Sequence, residues 1–204
     1  MGGYVFRDAT ALVQVARLAL YLDSLVCAAA IALTLGLGVD DAYYGSFARA
    51  FGITQLLTGL GALLLFLIWF YRANANARAM GADGLMGSPG LSVAWFFIPI
   101  MFLFMPFIAM RDTWKASATP RDWQGQPTNA LIGFWWAAML MTHLAASFSF
   151  RLWVSEGYDV IGAVAVLDLI ANGAGILANL LCIAVMQKIH ALQVSPAHLS
   201  EHFR

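Results

Sequence analysis

Charge is what this chain has least of. Only 11% of its 204 residues are Asp, Glu, Lys or Arg, against about 25% in a soluble domain. Eleven basic and eleven acidic residues cancel to a formal net charge of zero, so no global field recruits nucleic acid or an acidic partner. Cysteine is nearly missing too. The two present, Cys27 and Cys182, lie inside apolar runs without any CxxC spacing, and read as small buried hydrophobes rather than a disulfide or metal site. Proline is sparse, with six in all, yet Pro99 and Pro106 fall within one uncharged apolar run. A phosphate-binding glycine loop and a dinucleotide fingerprint are both lacking.

What the chain has is apolar length, since 61% of it is hydrophobic. A hydrocarbon core about 30 Å thick needs about 20 apolar residues in helical form. Leu18–Leu37, Phe51–Tyr71, Leu91–Met110, Leu131–Phe150 and Ile161–Met186 all reach that length. They leave short loops and no room for a separate soluble domain, so residues 1–204 are expected to form a single membrane domain.

Leu91–Met110 decides the threading. If all five runs cross, the basic residues divide almost evenly between the two sides and give no orientation. If Leu91–Met110 enters and returns, or lies in the interface, one side collects Arg7, Arg17, Arg72, Arg78, Arg111, Lys115, Arg121, Lys188 and Arg204. The other keeps Arg49 and Arg151. Nine against two is a strong positive-inside asymmetry, and each proline removes a backbone donor and breaks or kinks a helix. The expected fold is therefore an all-α polytopic membrane protein. It has four transmembrane helices over about 18–37, 51–71, 131–150 and 161–186, and a Pro-broken re-entrant or interfacial segment over 91–110. Both termini are then cytoplasmic, with a tail over 188–204. Five transmembrane helices are the alternative.

The middle of the chain carries a more specific pattern: Trp69-Phe70-Tyr71-Arg72-Ala73, Asn76, Gly81, Ser88-Pro89, Trp95-Phe96-Phe97-Ile98-Pro99-Ile100, Pro106, and Met110-Arg111 followed by Trp114-Lys115-Ala116-Ser117. Over Trp69–Ser117 it resembles the prokaryotic membrane proteins catalogued as domain of unknown function 4328. The resemblance implies a polytopic membrane protein of the prokaryotic inner membrane and supplies no activity. Phe102 stands where that family's pattern carries a polar Asn after the first proline, which weakens the idea of a polar site there. Tyr71, Trp69, Trp95, Trp114 and Trp123 suit an interfacial belt. Asn74 and Asn76 are placed to cap the broken backbone, and Arg72, Arg78, Arg111 and Lys115 to contact anionic lipid or a ligand. Attraction of a basic side chain to an anionic surface is worth about 1 kcal/mol.

Polar residues within the runs fall into stripes at helical spacing. One face carries Asp168, Asn172, Gly175 and Asn179; others carry Asp23, Cys27, Ala30 and Thr34, or Gln55, Thr58, Gly59 and Ala62. His143 and Ser147 share a face with Arg151. Counting about 1.5 Å per residue sets His143 and Asp168 level, with Gln55 nearby and Asp23 level with Asn179. Two readings follow: hydrogen-bonded ties between helices, or a proton or cation path through Asp168, His143 and Asp23. Ser147, His143 and Asp168 lack the oxyanion hole and nucleophile elbow of a hydrolase triad. The ending His198-Leu199-Ser200-Glu201-His202 spells an inverted zinc signature, but a catalytic zinc needs a third protein ligand and a shaped pocket. No catalytic residue, metal or cofactor is therefore assigned. The chain reads as a non-enzymatic accessory or lipid-interacting helical bundle, with a small channel or transporter subunit as the alternative. Expected partners are membrane lipid and another membrane protein or a second copy of the chain.

Overall fold

Helices end where the backbone is given another way to satisfy itself, and the computed structural model, which describes residues 3–37 and 48–195, has six of them longer than one turn. They are α1 (Thr10–Leu37), α2 (Ala48–Ala79), α3 (Pro89–Ala94), α4 (Met105–Ala118), α5 (Ala130–Glu156) and α6 (Ile161–Gln193). Among the described residues there is no strand. The four helices long and apolar enough to cross a membrane are α1, α2, α5 and α6.

These four helices outrun the apolar stretches that nucleate them. Thr10, not Leu18, starts α1, capped by Asp8, whose carboxylate accepts from the Thr10 amide at 2.9 Å and its hydroxyl at 2.6 Å. Past Tyr71, α2 continues two more turns through Arg72, Asn74, Asn76 and Arg78. Gly81 stops it, adopting φ +98° while its amide donates to the Arg78 carbonyl and Ala82 donates to Ala77, a pairing that only a left-handed residue allows cheaply. Likewise α6 runs to Gln193, so residues 188–193 of the expected tail are helix; His198–His202 lie outside the described residues. At 33 residues, α6 spans about 50 Å, more than a hydrocarbon core of about 30 Å.

The 91–110 run does not form a crossing helix. Ser88 accepts a hydrogen bond from the Leu91 amide at 3.2 Å and Pro89 opens α3, which lasts only six residues. Turns and a short 3-10 helix, Met101–Leu103, carry the chain past Pro99 to α4, whose first turn takes Pro106 at no cost in donors.

Two compact units divide the chain: Met1–Arg17, Leu63–Gly133 and Ile183–Arg204 form the first, and Leu18–Ala62 and Phe134–Cys182 the second. In the first, Asn74 on α2 donates to Thr113 on α4 at 2.9 Å, and Gln193 on α6 donates to Ser117 on α4 at 2.9 Å. Arg7 and Asn76 are bonded as well. A fifth crossing would put α4 across the membrane from all of these. The segment therefore returns to the side it left.

Candidate functional site

In the first unit, Ala73, Asn74, Ala75, Asn76 and Ala77 are all buried in succession, so the end of α2 is enclosed on every face. Polar atoms there must find partners within the protein, and they do. Asn74 Oδ1 accepts from Arg78 Nε at 3.1 Å while its amide donates to Thr113. Asn76 exchanges two hydrogen bonds with the backbone of Arg7, at 3.0 and 2.9 Å. Gln193 Nε2 donates to the Ala73 carbonyl at 2.8 Å as well as to Ser117, and its Oε1 accepts from Asn76 at 3.4 Å. The asparagines expected to cap the broken backbone are instead buried inside the last two turns of α2.

The basic residues divide by role. Arg78 Nη2 donates to the carbonyls of Gly87 at 2.6 Å and Leu85 at 3.3 Å, with its guanidinium 5.8 Å from the Tyr4 ring. It closes the 80–88 loop rather than facing lipid. Arg111 pairs with its neighbour Asp112 at 2.7 Å. Arg72 and Lys115 are half-buried on α2 and α4. The aromatic belt also changes: Trp69 is 1% exposed among Phe66, Phe70 and Phe96, and Trp123 is buried with its indole donating to the Asp83 carbonyl at 2.8 Å. Of the expected five only Tyr71 is exposed, and by 47%; Trp95 and Trp114 are half-buried.

The turn of the broken segment is apolar and open. Phe97, Ile98, Ile100, Met101, Leu103 and Phe104 are all exposed, Ile100 by 72%. Ile100 has φ +68° and ψ −50°, with the Met101 amide donating to the Pro99 carbonyl across it at 2.8 Å. That is a γ-turn of the strained hand, and a β-branched residue rarely occupies positive φ.

In the second unit the polar stripes meet in a ladder. Thr58 on α2 donates to Asp23 Oδ1 on α1 at 3.0 Å, and Asn179 on α6 donates to Asp23 Oδ2 at 2.9 Å and to Ser24 at 3.2 Å. Gln55 on α2 donates to Asn172 on α6 at 2.6 Å, and Asn172 donates to the Asp168 carbonyl at 2.8 Å. Ser149 on α5 donates to the Asp168 carboxylate. Among the described residues, neither carboxylate has a Lys or Arg within ion-pair distance. A carboxylate at mid-span costs about 2.5–3.5 kcal/mol on insertion scales. Each oxygen of the Asp23 carboxylate accepts one hydrogen bond, from Thr58 and from Asn179, and bonds to an ionised acceptor are about twice as strong as neutral ones.

The sequence pattern of one family, described as Domain of unknown function (DUF4328), matches residues 43–191. The chain belongs to that family. The match extends far beyond Trp69–Ser117, taking in α2, the broken segment, α5 and nearly all of α6. No curated protein and no solved structure matches the chain.

The family match includes Gln55, Asp168, Asn172 and Asn179 but not Asp23. The structure brings Asn179 to Asp23, the pair that the depth count sets level, and bonds Gln55 to Asn172, one turn deeper than the Asp168 level beside which the count sets it. It does not give Asp168 the expected partner. His143 is exposed, as are Ser147 and Arg151, and its Nδ1 lies 2.9 Å from the Met139 carbonyl of its own helix. The inward stripe of α5 is instead Ala138, Thr142, Ala145 and Ser149, spaced four, three and four. Small residues marked that stripe in the sequence, whereas a histidine drew the reading to the wrong face.

Proposed function

We propose that this chain is a non-enzymatic, lipid-interacting accessory protein of the prokaryotic inner membrane. Both termini are cytoplasmic, and the broken segment is seated in the inner leaflet. The positive-inside asymmetry of Arg7, Arg17, Arg72, Arg78, Arg111, Lys115, Arg121, Lys188 and Arg204 against Arg49 and Arg151 supports that orientation.

The observation that carries the reading is Ile100. Its backbone strain is of a kind worth about 1–3 kcal/mol, and glycine would remove it. In water the exposed isoleucine would add a second cost. In an acyl layer, burial of Phe97, Ile100 and Phe104 returns up to about 1.5–3 kcal/mol each, enough to outweigh the strain. Arg72, half-buried Lys115 and the partly exposed Arg111 then lie at headgroup level in the same unit, where anionic lipid contributes about 1 kcal/mol per basic side chain.

Depth measurement tests this. A spin label at Phe97→Cys, in a Cys27→Ser, Cys182→Ala background reconstituted in nanodiscs, should be relaxed by oxygen rather than by a water-soluble nickel chelate. Nickel accessibility would put the turn in water and end the proposal. Arg72→Gln with Lys115→Gln should in addition release anionic lipid in native mass spectrometry.

A further inference from the structure

We infer that Arg17 holds the phosphate group of one inner-leaflet phospholipid at the cytoplasmic end of α1. The inference rests on the orientation and lipid contact proposed above, and adds the lipid's chemical group and a residue outside the Arg72 and Lys115 pair. Arg17 follows Thr10 by seven residues, two turns along the same face of α1. That sets it about 10 Å further into the membrane, one residue before the apolar run Leu18–Leu37 begins. Headgroup phosphates and glycerol esters lie at this edge of the hydrocarbon.

The protein gives this cation no counter-charge. Arg17 Nε is enclosed and has no hydrogen-bond partner, and among the described residues no carboxylate stands within ion-pair distance of the guanidinium. The register explains why. Thr10 marks the face of α1 that meets α6, through its 3.2 Å contact with His190. One and two turns before His190, on the same face of α6, stand Met186 and Ile183, both buried and apolar. Val13 and Ala16 are buried beside Arg17 on its own helix. Apolar surroundings are where an unpaired charge costs most. Among the described residues the other enclosed side-chain nitrogen without a partner is the Trp95 indole, which is neutral and far cheaper to leave so.

A phosphodiester matches what Arg17 lacks. It brings one negative charge and two free oxygens, spaced for the fork of a guanidinium. A water molecule would serve an N–H and leave the charge unpaired. Arg17 as a whole is half-buried, so part of the side chain faces the bilayer. Its Nε edge, held by no hydrogen bond, is free to turn outward and meet the phosphate.

The test uses the full chain in detergent micelles and counts retained lipid by native mass spectrometry. The probes are phosphatidylglycerol and a diacylglycerol with the same acyl chains. Arg72→Gln with Lys115→Gln should still retain one phosphatidylglycerol, and adding Arg17→Gln should weaken its binding about tenfold or more. Diacylglycerol, which has no phosphate, should not be retained. Arg17→Lys keeps the charge without the fork and should weaken retention less, which keeps the test open if Arg17→Gln fails to fold. Undiminished retention in both Arg17 variants would overturn the proposal. So would retention of diacylglycerol equal to that of phosphatidylglycerol, which would make the acyl chains the ligand, or displacement of the lipid by inorganic phosphate, which would make it a soluble anion. Lipid lost through Arg17→Gln but not through Arg72→Gln with Lys115→Gln would support Arg17 and count against the contact proposed for the other two.

Discussion

Gly84 and Gln124 are neighbours, although forty residues and the whole broken segment separate them. A Cβ on Gly84 would stand 3.2 Å from the Gln124 side-chain nitrogen, and the adjacent Asp83 carbonyl accepts from the Trp123 indole at 2.8 Å. The loops that flank an apolar run of spanning length thus meet. The prolines explain why: Pro89 and Pro106 each open a helix, and the backbone between Ala94 and Met105 turns back on itself.

That return is held by buried amides, and Gln193 is the most connected of them. Gln193→Ala deletes three hydrogen bonds in a buried site, to the Ala73 carbonyl, Ser117 and Asn76. Each such bond contributes about 0.5–1.5 kcal/mol, so the variant should unfold at a clearly lower temperature. Ser117→Ala should lower it too, and the double variant should lose less than the sum of the two, as contacting residues do. Additive losses in a thermal-unfolding cycle would mean that the two side chains do not meet.

Ile100 predicts opposite effects on stability and on lipid. Ile100→Gly removes strain of about 1–3 kcal/mol, and thermal stability in a short-chain detergent should hold or rise. Seating of the turn in a bilayer should weaken, seen as greater nickel accessibility at a label on Phe97. Lower stability in detergent would show that the positive φ is not strained.

Asp8 gives a pH dependence of known sign. The Thr10 hydroxyl and amide hold its carboxyl below the usual carboxylate range. A depressed folded-state value stabilises the first turn of α1 above that usual range, and the stabilisation is lost as pH falls through the lowered value. Amide exchange at Thr10–Val13 should accelerate over that acid window in the native chain and change little in Asp8→Asn. An unchanged profile in the native chain would remove Asp8 as the cap.

Much of this was legible in the sequence because the bilayer imposes few solutions. Apolar length marked all four spans, and two prolines with a lopsided charge count marked the segment that fails to cross. A count of residues from a membrane face aligned Asp23 with Asn179, whereas it set Gln55 beside Asp168 and the bond falls one turn on, at Asn172. What resisted reading was which way a polar side chain turns. His143 and Ser149 lie six residues apart on one helix, and the buried one is marked only by small residues at its helical neighbours Ala138, Thr142 and Ala145. The helix extension beyond Tyr71 was hidden for a related reason. Arg72, Asn74, Asn76 and Arg78 look like a polar loop until Thr113, Arg7 and Gln193, distant in sequence, enclose them. Strain at Ile100 has no local signature, because nothing in Pro-Ile-Met demands a positive φ.

The claim on which the account depends most is that the 91–110 segment returns. Single cysteines placed at Asp83 and at Gln124 in a Cys27→Ser, Cys182→Ala background, then treated with a membrane-impermeant thiol reagent in sealed vesicles of known orientation, test it directly. Both sites should label from the same face, the one from which a cysteine at Val5 labels. Labelling of Asp83→Cys and Gln124→Cys from opposite faces would mean that the segment crosses, and the four-span architecture would be wrong.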